Sequence, residues 1–261
     1  MIPRLLTLLF TPLALFASPE PLPLVVGMEL SYPPFEMTDT AGKPTGLSVE
    51  LAQQLAQALH RPLKIENLAF DGLIPALITK KIDLILSSLT VTEERSKAIQ
   101  FSQPYAQIGL ALLTRKDPTI MSAKDLNSPD RTVVTKRGTS GHLAVQSLFP
   151  KAKKLVVDKD AAAYLEVSQG KADAFLYDQL SVARAQQRYP QTTQALLTPL
   201  RDEKWAIGLR KADHNLRQDI NIFLISFQQR KGFDKLAKQY LAKEELLFRQ
   251  AGIPFIFEPA P

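Results

Sequence analysis

A repeated alternation of short apolar runs with amphipathic stretches constrains this chain more than any other feature. Leu24-Val-Val26 is brief, β-branched and closed by Gly27, the pattern of a buried strand. From Ser48 to His60, leucines recur every four residues at Leu51, Leu55 and Leu59 with glutamines between, which predicts an amphipathic helix beginning after Gly46. Leu63-Lys-Ile-Glu66 is a second strand, Asp71 caps a helix running to about Lys80, and Ile82-Asp-Leu-Ile-Leu86 is a third strand apolar enough to be buried on both faces. Strands and helices alternating this closely form a parallel sheet with right-handed crossovers. The pattern restarts after residue 115 with Arg131-Thr-Val-Val-Thr135, a helix from Ser140 to Leu148, Lys154-Leu-Val-Val157, a helix from Asp160 to Gln169, and Ala172-Asp-Ala-Phe-Leu-Tyr177. The expected fold class is therefore α/β, with two doubly wound α/β lobes.

Two extended segments connect the lobes. Ile108-Gly-Leu-Ala-Leu-Leu-Thr114 is long enough to leave the first lobe as a strand, and Trp205-Ala-Ile-Gly-Leu-Arg210 is a matching return. Two crossings imply hinge strands with a cleft between the lobes. The boundaries are 22–109 for the first part of lobe 1, 110–203 for lobe 2, and 204–261 for the return with its C-terminal helices, expected at Leu216–Arg230 and Phe233–Leu247. Ahead of these, Arg4, an apolar run from Leu5 to Phe16 and the small pair Ala17-Ser18 make residues 1–18 a secretory signal peptide. The run is too short to span a bilayer, which needs roughly 20 apolar residues.

Composition narrows the chemistry. The 261 residues include no cysteine, excluding disulfides, thiolate metal sites and a cysteine nucleophile. Three separated histidines lack metal-motif spacing, so no metal or other cofactor is expected. The net charge of +6 is scattered, and its densest run, Lys151–Lys154, has no interleaved aromatics, so no nucleic-acid partner is expected. No Ser/His/Asp set and no acid/base carboxylate pair stands out, so catalysis is not expected.

Candidate binding residues gather where the predicted parallel strands end, the place open α/β sheets hold ligands. Ser87-Ser88-Leu-Thr90 follows the third strand, and Thr90 with Glu93 has capping-box spacing that leaves Arg95 on a short helix. Its guanidinium either grips a carboxylate with two hydrogen bonds or points to water. Lys136-Arg-Gly138-Thr139-Ser140 joins a strand to a helix and favours an anion, without the spacing of a phosphate-binding motif. Asp178 either caps the next helix or accepts a ligand ammonium. Tyr32 and Phe70 lie at strand ends, where an aromatic serves the core or walls a pocket, and Glu29 adds an acidic contact.

The runs Tyr32-Pro-Pro-Phe35, Phe70-Asp-Gly-Leu-Ile-Pro-Ala-Leu77, Lys81-Ile-Asp-Leu-Ile-Leu-Ser-Ser-Leu-Thr-Val-Thr-Glu-Glu-Arg95, Phe101-Ser-Gln-Pro-Tyr105, Gly138-Thr139 and Asp173-Ala-Phe-Leu-Tyr-Asp178 resemble, in order and spacing, the polar-amino-acid class of periplasmic solute-binding proteins. The likeness covers nearly all of the chain after the leader and is nearest to histidine- and lysine/arginine/ornithine-binding proteins. It implies a Venus-flytrap cleft in which Arg95 binds an amino acid's α-carboxylate with Thr90 and Thr139. Asp178 takes the α-ammonium, aided by Ser88 and Thr90, while Tyr32 and Phe70 flank the side chain and Ser87 supports it. It also implies a monomeric, periplasmic carrier that delivers a free amino acid to the membrane permease of an ABC importer.

Two positions depart from the family pattern. Glu29 stands where many relatives have aspartate, a longer arm that either shrinks the pocket or reaches a cationic side chain. Ser48 stands where relatives often carry an acidic residue in the first helix. Glu29 and the Ser87-Ser88 pair point to a basic ligand such as arginine, lysine or histidine, with a glutamine-type ligand as the alternative. On the same fold, a cyclohexadienyl dehydratase acting on prephenate or arogenate is a rival reading, with Glu29 as its acid, and a receptor that signals to a membrane partner is another.

Overall fold

The first alternation closes into a sheet around its opening strand. In the computed structural model, which describes residues 21–257, the first lobe runs β1 (Leu24–Met28), β2 (Ser31–Tyr32), β3 (Glu36–Thr38), β4 (Pro44–Thr45), α1 (Leu47–Ala58), β5 (Leu63–Asn67), α2 (Leu73–Ile78), β6 (Leu84–Ile85), α3 (Glu93–Ala98) and β7 (Gln100–Phe101). The proposed leader at 1–18 lies outside the described residues, as do the last four. The chain then enters β8 (Ala106–Arg115), followed by β9 (Thr132–Lys136), α4 (Ser140–Leu148), β10 (Lys153–Val157), α5 (Asp160–Ser168), β11 (Ala174–Asp178), α6 (Gln179–Arg188) and β12 (Thr193–Trp205). It ends with β13 (Gly208–Leu209), α7 (His214–Gln229), α8 (Gly232–Tyr240) and α9 (Ala242–Gln250).

One five-stranded sheet has the order β5-β1-β6-β13-β7 and the other β10-β9-β11-β8-β12. Within each, the three strands of the βαβ units are parallel, β1 between β5 and β6, and β9 between β10 and β11. The remaining strands run antiparallel: β13 lies against β6 and β7, and β8 lies between β11 and β12. Leucine faces of α1 and aromatics of α7 and α8 cover one side of the first sheet, while Leu73, Leu77, Ile82 and Ile99 pack on the other. Leu110, Leu126, Val133, Val145 and Phe149 fill the outer layer of the second lobe.

Four local readings are corrected. The return strand is Thr193–Trp205 rather than Trp205–Arg210, because pairing with β8 begins at Thr193↔Arg115 and continues to Trp205↔Ala106; Gly208–Leu209 already belongs to the first sheet. Asp71 does not cap a helix by its side chain: the chain enters through a 3-10 turn at Phe70–Gly72, which places Asp71 inside the turn. Thr92, not Thr90, caps α3 by accepting the Arg95 N–H at 3.2 Å. The backbone on either side of Thr90 is held to the β12 end, with Val91 N–H on the Lys204 carbonyl, so the helix starts later. The helix expected at Phe233–Leu247 breaks into α8 and α9 where fully buried Leu241 leaves helical geometry.

Gly46 opens α1 with φ +119°, and a Cβ there would lie 2.4 Å from the Phe35 carbonyl oxygen. Only glycine fits this junction. It holds the Tyr32–Phe35 loop against the helix, with Leu47 and Ser48 N–H groups donating to the Pro34 and Phe35 carbonyls.

Candidate functional site

The C-terminal ends of the parallel strands in both sheets face one cleft. Glu29 follows β1, Ser87 and Ser88 follow β6, Thr139 lies just beyond β9, and Asp178 ends β11. Tyr32 reaches in from the small hairpin sheet, Phe70 from the 3-10 turn and Arg95 from α3, so all nine candidate residues line the same space. The cavity these side chains leave is only about 40 Å³, so they stand close together across the cleft.

Arg95 is buried, and its guanidinium donates to the carbonyls of Thr90 at 2.6 Å and Gly138 at 2.9 Å, joining the lobes. It lies 5.5 Å from the Phe70 ring centroid. Burial pulls its pKa down to about 10, so it remains a cation at neutral pH. Asp178 is the mirror case: its carboxylate accepts from Tyr32 Oη and from the Ser181 N–H, each at 2.8 Å, and burial pushes its pKa up. Both sequence readings of Asp178 hold at once, since it caps α6 and faces the cleft. Among the described residues, Arg95 has no carboxylate and Asp178 no cation within ion-pair distance. The buried Glu203 carboxylate favours the Arg95 charge through space without pairing with it, and a buried cation and a buried anion that both lack an ion-pair partner are costly unless a ligand supplies one to each.

The serines and threonines connect rather than stand free. Ser87 Oγ accepts the Glu29 N–H at 3.0 Å and donates to Glu36 at 3.0 Å, and Ser88 donates to the other Glu36 oxygen at 3.4 Å. Thr90 donates to Glu203 at 2.9 Å, and Thr139, which caps α4, donates to the Lys136 carbonyl at 2.7 Å. Tyr32 stacks on Phe35 with centroids 5.4 Å apart and meets Trp205 edge-on at 6.3 Å.

Sequence reasoning missed four residues here: Glu36, Tyr177, Glu203 and Trp205 also line the cleft. Of the anion-favouring run it named, Ser140 lines the cleft as well, and Lys136 crosses it to pair with Glu29. Glu203 sits in the charged run Arg201-Asp-Glu-Lys204, yet it is buried and also receives the Ser140 hydroxyl at 2.7 Å. Its place on a strand bordering the hinge was the available signal. Ser48, the other departure from the family pattern, bonds the buried Glu36 carboxyl.

Burial raises the Glu36 pKa to about 8, against bonds from Ser48, Ser87 and Ser88 that favour its charge. The folded protein thus keeps a proton that the unfolded chain releases near its ordinary pKa of about 4.5. The associated stability is fully present below that ordinary value and is lost as pH rises to about 8, by a few kcal/mol at roughly 1.4 kcal/mol per pKa unit. The melting temperature of the parent should fall across this window relative to that of Glu36→Gln, whose amide stays neutral. Parallel profiles for the two proteins would reject this account.

Two α/β lobes joined by antiparallel strands, with a polar cleft between their strand ends, define a solute-binding architecture. The family described as bacterial extracellular solute-binding proteins, family 3, matches residues 24–243, and the chain belongs to it. It is similar to the L-cystine-binding protein TcyJ of Escherichia coli (strain K12), 28% identical over 85% of this chain and 83% of that one. The histidine-binding periplasmic protein of the same strain is 26% identical over 82% and 86%. Among solved structures, a putative ABC-transporter binding component from Wolinella succinogenes complexed with lysine is 36% identical over 84% and 95%, with a TM-score of 0.78. A variant of ArgBP from T. maritima is 37% identical over the same shares, with a TM-score of 0.76. The ancestral amino acid-binding protein AncCDT-1, described as a precursor of cyclohexadienyl dehydratase, is 34% identical over 83% and 94%, with a TM-score of 0.76. Among the described residues, no helix is long and apolar enough to cross a membrane.

Proposed function

We propose that this protein captures a free amino acid in its inter-lobe cleft and delivers it to the permease of an ABC importer, acting as a monomeric carrier without turnover. The observation that carries the reading is that Arg95 and Asp178, a buried cation and a buried anion, face one cleft and neither has an ion-pair partner. An amino acid zwitterion supplies a partner to each. Arg95 holds the α-carboxylate, joined by Thr90 and Thr139 once their hydroxyls turn from Glu203 and the Lys136 carbonyl; Asp178, with Ser88 and Thr90, holds the α-ammonium; Tyr32 and Phe70 flank the side chain, with Ser87 behind. The names of the relatives support a polar side chain, and the lysine-complexed and arginine-binding neighbours support a basic one. The leader-like segment at 1–18 and the family's extracellular character support a periplasmic location.

The dehydratase reading draws on the AncCDT-1 likeness and on Glu36, a protonated acid lining the cleft at neutral pH; Glu29, the acid expected from sequence, is engaged by Lys136. One experiment separates the two. The protein is unfolded and refolded to strip captured ligand, then melted with each amino acid, ornithine and prephenate. At 100 times its dissociation constant a ligand stabilises by about 2.7 kcal/mol, a readily measured shift. The carrier reading expects a shift with at least one amino acid and no product from prephenate. Product formation from prephenate, with no amino acid giving a shift, would overturn it.

A further inference from the structure

Lys136 is 1% exposed, an extreme for a lysine, and it does not lie in the core of either lobe. It ends β9 in the second lobe and sends its ammonium across the cleft to the carboxylate of Glu29 in the first. Its Nζ also lies 5.8 Å from the centroid of the Phe70 ring. An anion beside an aromatic face is what a cationic ligand side chain would seek, by ion pairing and by cation–π attraction. Here four methylenes and an ammonium belonging to the chain itself already fill that place.

We infer that Lys136 is a tethered occupant of the side-chain subsite formed by Glu29 and Phe70, and that it sets specificity by competing with cationic ligand side chains. The inference rests on the amino-acid reading above. Two ammonium or guanidinium groups cannot share one buried carboxylate without an uncompensated charge, so an arginine or lysine ligand has to evict Lys136. Tethering gives Lys136 a high effective concentration at Glu29, and free ligand pays against it. A side chain ending in a hydrogen-bond acceptor meets no such competition, because the Lys136 ammonium has further N–H groups to donate. Discrimination by an occupying charge is a repulsive device, distinct from added contacts to the favoured ligand.

The test is calorimetric titration of refolded parent, Lys136→Met and the double variant Glu29→Gln/Lys136→Met with L-arginine, L-lysine and L-glutamine. Methionine keeps the unbranched stem and removes the charge. Lys136→Met should bind arginine at least tenfold tighter than the parent, glutamine should gain less, and the double variant should lose the arginine gain. If Lys136→Met fails to fold with Glu29 left unpaired, Lys136→Gln, which still donates to Glu29, is expected to shift arginine binding in the same direction. Arginine binding that is unchanged or weaker in the folded variant, while the parent still binds an amino acid, would overturn the role of Lys136 alone. Failure of every form to bind any amino acid would overturn the amino-acid reading and this inference with it.

Discussion

Arg95→Ala should weaken amino acid binding by about 2–5 kcal/mol, roughly thirtyfold to several thousandfold, because it strands the ligand's carboxylate in a buried cleft. The loss is expected to be larger than for any other single truncation in the site. In the proposed binding mode Arg95 joins ligand and both lobes: its guanidinium already spans the Thr90 and Gly138 carbonyls, one on each side of the cleft. Arg95→Lys separates charge from geometry. It keeps a cation but loses the planar fork that holds two carboxylate oxygens, so it should recover only part of the affinity. Calorimetry on the refolded proteins measures both, and parent-like binding by Arg95→Ala would remove Arg95 from the site.

Asp178→Asn should cost about 1.5–3 kcal/mol of binding, the scale of a hydrogen bond to a charged group, while leaving the fold nearly unchanged. The amide oxygen can still accept from the Ser181 N–H, so the cap on α6 survives, while the amide NH2 takes the place of the oxygen that accepted from Tyr32 and donates to its Oη instead. The negative charge is lost and the Tyr32 hydroxyl must turn. Burial raises the pKa of Asp178, so affinity in the parent should fall as pH drops through that raised value, and Asp178→Asn should lack this dependence. Equal affinity in the two proteins across the acid range would show that the ammonium binds elsewhere.

Much of the architecture was legible because each element carries its own period. The leucines of α1, the Ser140 start of α4 and the valines of β9 and β10 each state their structure locally, and the predicted ends fall within about two residues of the observed ones. The parallel pattern also placed strand ends together, so nine candidates scattered from Glu29 to Asp178 could be assigned to one cleft. What remained hidden depends on contact between lobes. Lys136 reads as part of an anion-favouring junction until Glu29 arrives from the other lobe, and nothing local marks Glu203 until Thr90 and Ser140 close on it. The misplaced cap has the same origin: Thr90 has the right spacing from Glu93, but a β-bridge to Trp205 holds its backbone extended. No local periodicity encodes a partner more than a hundred residues away.

Trp205 is the only tryptophan in the chain, and it ends the strand that returns from one lobe to the other, 5.1 Å from the Phe35 ring on the wall of the cleft. Indole emission responds to the polarity and stacking of its immediate surroundings. With a single indole, excited at wavelengths its tyrosines barely absorb, the protein carries its own optical gauge of cleft occupancy. Stopped-flow mixing can therefore time the seating of a ligand without attaching a dye.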